Sequence, residues 1–570
     1  MATKESHTWL QNYPAEVLPS YSYSEEPLQH FLLRAAEEYP QKTAIHYMGK
    51  DLTYQEVYEY AVQFANVLKS LGVEKGDRVA VMLANTPQAV ISYYGTLFAG
   101  GIVVQMNPLF VEREIEQHLV DSGAKVLVCL DMGYPRVQKI RDHTNLEHVL
   151  VTSIKDFLPF PKNKLYPLKQ KKDMGMKIEV NYDRTTHNWK ESVTKASKQR
   201  EEVAIDPRKD LALIQYTGGT TGAPKGVMLT HYNLVVNTEQ CVQWMYKTEK
   251  GRERILAALP FFHVYGMTTA MNLGVMHVAE LVIVPRFDPK QVLKTIEKKK
   301  ITMFPGAPTM YIALTNHEDI EKHDLTSIKA CLSGAAPLPQ EVQHSFERKT
   351  GGKLVEGYGL TETSPVAAAN PIWEGGKLGS IGLPWPDTEM AVLNQEDGSL
   401  VDSGEVGEIA VRGPQVMQGY WNKEEETNAV FSGEWFKTGD MGYRDEEGFF
   451  YIVDRKKDMI IAGGFNVYPR EVEEVLYEHE AILEAAVIGV PDPYRGETVK
   501  AFVVCKEGQE LSDNELETFC RTKLAAYKIP RLFERREELP KTMVGKVLRR
   551  VLAEEEAEKS EHGNTGKASG

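Results

Sequence analysis

Apolar positions along the chain fall into short runs separated by amphipathic stretches, and this alternation predicts the architecture. Residues 52–56 lead into an amphipathic run. A strand is predicted at 78–83 (Arg-Val-Ala-Val-Met-Leu), a helical segment from Pro87, an apolar run at 102–105 and a strand at 125–129. Strands alternating with helical stretches imply βαβ units and a largely parallel sheet over residues 25–150. The run at 211–215 reads as a buried strand and 227–229 as a second, with Thr230 as N-cap of the helix that follows. Residues 404–420 read as hairpin-forming β structure with glycine turns. Beyond a strand ending at Asp454, helices at 470–480 and 513–523 and strands at 485–490 and 499–506 predict a small α+β domain. Residues 553–570 are acidic, then rich in Gly and Ser, and are expected to be disordered.

A length of 570 residues exceeds a single core. The expected fold class is α/β plus α+β. A large N-terminal domain (1–454) holds βαβ-type subdomains and a β-rich subdomain, followed by a small C-terminal α+β domain (455–552) and a tail. With 42% hydrophobic and 26% charged residues the composition is that of a soluble globular protein. The net charge of −14 argues against nucleic-acid binding, and anionic substrates must be held by local positive groups. The five cysteines (Cys129, Cys241, Cys331, Cys505 and Cys520) form no CxxC pair, which points to reduced thiols, a cytoplasmic location and no cysteine metal site. The N-terminus has no apolar signal core, and the weakly polar run 89–104 is interrupted by Ser92, Gly95, Gly100 and Gly101.

One segment departs from this acidic background. Residues 155–177 carry seven lysines (Lys155, Lys162, Lys164, Lys169, Lys171, Lys172 and Lys177) among Phe157, Leu158, Phe160, Leu165, Tyr166 and Leu168. Two readings stand side by side: a solvated surface insertion, or a weak peripheral contact with an anionic bilayer on the inner face of the plasma membrane. Pro159, Pro161 and Pro167 argue against one continuous amphipathic helix.

The first stretch with chemical content is 216–226, Tyr-Thr-Gly-Gly-Thr-Thr-Gly-Ala-Pro-Lys-Gly. Glycines let backbone N–H groups approach an anion closely, and the hydroxyls of Thr217, Thr220 and Thr221 with the ammonium of Lys225 add donors. A surface turn of small polar residues is the plain alternative; the preceding strand and the closing lysine favour a polyphosphate site. It is not a Walker loop, because Lys225 is followed by Gly226 and a strand rather than by Ser/Thr and a helix. Further on come Leu259-Pro-Phe-Phe-His-Val-Tyr-Gly266, Phe304-Pro-Gly-Ala-Pro-Thr-Met310, Cys331-Leu-Ser-Gly-Ala-Ala-Pro-Leu338 and Glu356-Gly-Tyr-Gly-Leu-Thr-Glu-Thr363. Tyr358 between glycines can offer a ring face, Thr361 a phosphate donor, and Glu362 a hard oxygen ligand for Mg²⁺. Trp435-Phe-Lys-Thr-Gly-Asp440, Tyr451-Ile-Val-Asp-Arg455 and Pro540-Lys-Thr-Met-Val-Gly-Lys546 follow in that order.

These motifs, in this order over roughly residues 25–550, resemble those of the adenylate-forming enzymes: acyl-CoA synthetases, beetle luciferases and the adenylation domains of peptide synthetases. Among them the chain is most similar to bacterial long-chain fatty acid–CoA ligases. The resemblance implies ATP, Mg²⁺ and coenzyme A as cofactor and co-substrates, and a C-terminal domain that is mobile about Asp454. Thr217, Gly218, Gly219, Thr220, Thr221, Gly222 and Lys225 are then expected at the β- and γ-phosphates. Thr217 and Glu362 are expected at the metal, and Lys546, with Glu362 and Thr217, in catalysis. Gly334 and Ala335 would flank the adenine, Tyr358 and Thr361 would face the nucleotide, and Asp440 and Arg455 would hold the ribose and phosphate. His263, Tyr265, Met267, Gly306 and Gly334 would line the acyl site, and Gly463 and Gly464 the path of the thiol.

Some long-chain members carry a tryptophan four residues after the family histidine. This chain has Met267 there, which leaves its chain length open. The alternatives are a medium-chain or aryl carboxylate–CoA ligase, an acyl-AMP ligase that loads a carrier protein, and a non-catalytic acyl- or nucleotide-binding protein. The partners expected are a fatty acid, ATP and CoA, with no nucleic acid; monomer and homodimer both stand.

Overall fold

The computed structural model describes residues 4–174, 178–217, 224–462, 465–492, 495–542 and 545–565. At its centre is an eight-stranded sheet. Strands Leu211–Thr217, Ile102–Gln105, Arg78–Met82, Val126–Leu130, His148–Thr152 and Thr186–Asn188 lie side by side in parallel. Val126–Leu130 is buried at every position, as expected of a parallel strand covered on both faces. Helix Pro87–Phe98 crosses between two of these strands; Thr86 caps it by accepting from the Ala89 N–H, and Pro87 occupies the first turn. Lys225–Thr230 and Gly419–Tyr420 extend the sheet antiparallel beyond Leu211–Thr217. Thr230 caps helix His231–Trp244 as predicted, with its hydroxyl accepting from the Asn233 N–H at 3.0 Å.

Two four-stranded sheets accompany this one. In one, Arg254–Ala257 and Glu280–Ile283 pair with Thr43–Tyr47 and Lys50–Thr53. In the other, Ala330–Ser333, Lys353–Gly359, Val366–Ala369 and Leu383–Pro384 follow in order, and bridges through Met303 join the two. Of the β-rich part predicted at 404–420, Gly407–Arg412 belongs to a five-stranded antiparallel sheet with Trp435–Arg444 and Phe450–Arg455, while Gly419–Tyr420 edges the eight-stranded sheet. A last five-stranded sheet, from Ile460 to Arg535, packs against helices Pro469–Tyr477 and Asp513–Arg521. Its hairpin strands, Ile482–Asp492 and Gly496–Cys505, are longer than predicted.

One expectation is refined and one corrected. The basic insertion is not a single helix: a short turn, Ile154–Phe157, precedes helix Lys162–Met174. Pro159 and Pro161 precede its first residue and do no harm there; only Pro167 is internal, where it removes one backbone bond to Asn163. Of the tail at 553–570 expected to be disordered, the part up to 565 belongs to helix Arg549–Thr565, and 566–570 lie outside the described residues. Leu552 is buried, and charged residues of the tail find opposite charges on the small sheet: Glu555 with Arg536, Glu556 with Lys500, Lys559 with Glu534. A run of Glu, Ala and Lys is also a good helix former once such partners are present.

Candidate active site

Strand Lys353–Gly359 delivers the Tyr358 side chain to the end of its sheet, next to strand Trp435–Arg444. The Tyr358 hydroxyl donates to Asp440 Oδ2 at 2.7 Å. Burial, followed by the Asp440 charge, pushes that phenol well above its ordinary range, so it stays a donor. Asp440 lies opposite Arg455 in the antiparallel ladder, with Oδ1 3.4 Å from the guanidinium Nε. A ring, a carboxylate and a guanidinium from three motifs thus share one edge of the cleft.

Lys546 comes from the C-terminal domain to the same place. Thr542 closes its loop, accepting from the Lys546 N–H on its hydroxyl (3.1 Å) and donating its own N–H to the Lys546 carbonyl (2.8 Å). Gly545 adopts φ +79°, and a Cβ there would collide with Thr309 Oγ1 of helix Pro308–Thr315. Only glycine lets the loop dock this closely on the N-terminal domain. Burial lowers the Lys546 ammonium to about 7; Arg455 adds to the shift, while Asp440 and Asp458 oppose it. His263 is lowered to about 4, first by burial and then by the Lys546 charge, so the imidazole is neutral at physiological pH and within electrostatic reach of the ammonium.

The wall behind His263 is tightly packed. The Tyr265 hydroxyl donates to the Leu332 carbonyl at 2.7 Å, and its ring touches the turn after Ala330–Ser333 so closely that a Cβ on Gly334 would lie 2.9 Å from it. Ala335, next in that turn, holds φ +69°. Gly306 faces the Tyr311 hydroxyl, and Met267 is fully buried at the start of a π-helical segment, Met267–Asn272. Such segments recur at functional sites.

Thr217 ends its strand opposite Lys225, and its hydroxyl lies 3.4 Å from the Lys225 carbonyl. The Lys225 ammonium sits 4.9 Å from the centroid of the Tyr420 ring, and the Tyr420 hydroxyl donates to Glu362 Oε1 at 2.8 Å. Glu362 and Thr361 form a single turn after Tyr358, and burial raises the Glu362 carboxyl above its usual range. A buried carboxylate and a threonine hydroxyl, linked in the fold through Lys225 and Tyr420, are hard-oxygen donors of the kind Mg²⁺ takes when phosphates and waters complete its shell. Gly218 to Gly222, and Gly463 with Gly464, lie outside the described residues.

The structure also brings in residues that the motifs did not single out. Tyr420 reaches Glu362 across 58 positions, and Arg470 reaches Glu356 across 114. No local pattern announces such pairs.

A family model for the AMP-binding enzymes matches residues 32–421. The chain belongs to the AMP-binding enzyme family. A second model, the AMP-binding enzyme C-terminal domain, matches 471–546, the segment that ends on Lys546. The chain is 54% identical over 553 residues to a long-chain-fatty-acid–CoA ligase of Bacillus subtilis, covering 96% of this chain and 98% of that protein. It is 38% identical over 558 residues to the ligase of the same description from Escherichia coli O157:H7, again covering 96% and 98%. Among solved structures, the anthranilate CoA ligase AuaEII in complex with anthranoyl-AMP superposes with a TM-score of 0.82 at 29% identity, covering 94% of this chain and 97% of that one. A fatty acyl CoA synthetase of Mycobacterium tuberculosis gives 0.69 at 28% identity over 94% and 99%.

Proposed function

We propose that this protein is a long-chain fatty acid–CoA ligase: fatty acid, ATP and CoA become acyl-CoA, AMP and pyrophosphate through an acyl-adenylate. The observation that carries the reading is the meeting of Lys546, Asp440, Arg455 and His263 in one cleft, contributed by four separate motifs. The high identity to curated ligases along nearly the whole chain supports the substrate class.

In the first step the fatty carboxylate attacks the α-phosphate. Tyr358 stacks on the adenine against the Gly334–Ala335 turn, and Asp440 accepts from the ribose hydroxyls while Arg455 balances its charge. Lys225 and the loop before it hold the outer phosphates, with Thr361 as a further donor. Lys546 neutralises the charge that accumulates where carboxylate and α-phosphate meet, a preorganised electrostatic role. Glu362 and Thr217 would hold Mg²⁺, which screens the phosphate charges when bound. His263, neutral and beside Lys546, faces the carboxylate without adding a charge. In the second step Lys546 withdraws as the C-terminal domain turns about Asp454, and the loop at Gly463–Gly464 lines the approach of the CoA thiol.

Pyrophosphate release should depend on added acid and be strongest with long-chain acids. A hydrophobic channel discriminates by about 1–3 kcal/mol per methylene, so a panel of acids of increasing length should give a graded ranking. A preference for aryl or short acids would replace the long-chain reading. Release with no acid at all would reject the ligase.

The same reading includes weak contact with an anionic membrane through the insertion. Phe160, Leu165 and Leu168 are 80%, 57% and 69% exposed, and Leu165 and Leu168, three residues apart, share a helix face. Lys164, Lys169, Lys171 and Lys172 are exposed on the same helix. Each basic residue near such a surface contributes about 1 kcal/mol. Replacing these four lysines with glutamine should weaken sedimentation with anionic vesicles. Binding of the unaltered protein should fall with salt, since screening acts beyond about 10 Å at 0.1 M. Turnover of a soluble shorter acid should stay unchanged. Equal vesicle binding by both proteins would leave the solvated-surface reading.

A further inference from the structure

Arg470 stands at the start of helix Pro469–Tyr477 in the C-terminal domain, yet its side chain is buried against the N-terminal domain. Its Nη2 lies 3.3 Å from Glu356 Oε1 and its Nε 3.1 Å from Glu474 Oε1. Its backbone N–H donates to Asp454 Oδ2 at 2.9 Å. Glu356 is equally buried, and its second oxygen accepts from the Leu338 N–H at 3.2 Å, at the end of the turn that contains Gly334 and Ala335.

The chain of contacts continues beyond Asp454. Its Oδ1 accepts from Arg549 Nη1 at 2.9 Å, and Arg549 grips Glu473 through Nε (3.2 Å) and Nη2 (2.7 Å). Arg549 lies three residues after Lys546. A series of charge-assisted hydrogen bonds therefore runs from the turn that contains Gly334 and Ala335 to the base of the lysine loop, crossing between domains at Glu356–Arg470 and again at Asp454, the last residue of the N-terminal domain.

A buried ion pair is weak evidence of stabilisation, because desolvation offsets much of its attraction. Burial lifts the Glu356 carboxyl to about 7 even against Arg470. Direction is what such a pair supplies: the planar guanidinium addresses Glu356 through Nη2 and Glu474 through Nε, which fixes how one domain is turned against the other. We propose that Arg470 is a positioning residue for adenylation, bridging Glu356 to Asp454 so that the C-terminal domain carries Lys546 into the cleft beside Asp440 and His263. The proposal rests on the ligase reading and adds a residue to it. The thioester step does not require Lys546 in the cleft and so does not require the bridge.

The test compares two half-reactions in Arg470→Gln: acid-dependent pyrophosphate exchange, and thioester formation from chemically prepared acyl-adenylate and CoA. Exchange should fall about ten- to a hundredfold, the range of ordinary coupling between sites, while thioester formation stays within about twofold. The Glu356→Gln/Arg470→Gln pair removes the stranded buried carboxylate. It should recover the thermal midpoint of the unaltered protein without recovering exchange. Parallel loss of both half-reactions in the folded double variant, or full exchange in it, would overturn the positioning role. Absence of acid-dependent exchange in the unaltered protein would instead reject the ligase reading on which the proposal stands.

Discussion

Lys546→Ala should lose acid-dependent pyrophosphate exchange by about 100- to 1,000-fold, the usual effect of removing one preorganised charge-stabilising group. It should still convert prepared acyl-adenylate and CoA to thioester. The split follows from where the lysine is held: docked by Gly545 against Thr309, in the cleft with Asp440, Arg455 and His263. The lowered ammonium adds a pH signature. In the free protein Lys546 loses its proton near 7, so kcat/KM for adenylation should decline as pH rises through that value. Bound phosphates add negative charge and favour the ammonium, so the decline in kcat should lie at higher pH. Lys546→Arg keeps its charge and should lack this ionisation at whatever activity it retains. Equal loss of both half-reactions in folded Lys546→Ala would mean that the lysine supports the whole site and not adenylation alone.

The parts of the fold that the sequence revealed are those where one physical demand dominates a short stretch. Val126–Leu130 must be apolar throughout because helices cover both faces of its sheet, and Thr230 declares a helix start because an N-terminal N–H needs an acceptor. The motif residues were legible in the same way, and the structure brings Tyr358, Asp440, Arg455 and Lys546 together from positions spread over almost two hundred residues. What stayed hidden depends on partners distant in sequence. The helix at Arg549–Thr565 looks like a loose acidic tail until Arg536 and Lys500 are seen to meet Glu555 and Glu556. The insertion helix is hard to see in the sequence because three prolines crowd its region, although Pro159 and Pro161 precede its first turn and only Pro167 lies inside it. Tyr420 and Arg470 carry no signal of their own, since each matters through a carboxylate that only folding brings near.

Glu362→Gln should separate stability from activity. The Glu362 carboxyl is buried under the Tyr420 hydroxyl, and burial raises it above the ordinary range. A group raised in this way binds its proton more readily in the folded chain than in the unfolded one, so its ionised form weakens the fold at neutral pH. Glutamine keeps the shape and can still accept from Tyr420, but it carries no charge to desolvate. The thermal midpoint of Glu362→Gln should therefore equal or exceed that of the unaltered protein at neutral pH. The advantage should vanish as pH falls below the usual carboxylate range, where both side chains are neutral. Adenylation should move the other way and drop by about 100-fold or more, because the neutral amide is a poor ligand for a hard cation and the phosphate charges lose their screening. Tyr420→Phe, which removes only the hydrogen bond that orients the carboxylate, should cost less, about 10- to 100-fold. Raising Mg²⁺ should recover part of the activity in Tyr420→Phe and little in Glu362→Gln. A Glu362→Gln protein that unfolds at lower temperature and keeps its adenylation rate would show that the carboxylate serves the packing of its turn. Glu362 would then have to be withdrawn from the metal site. A gain in stability joined to loss of one half-reaction is expected of a charge that the fold tolerates for the sake of its substrate.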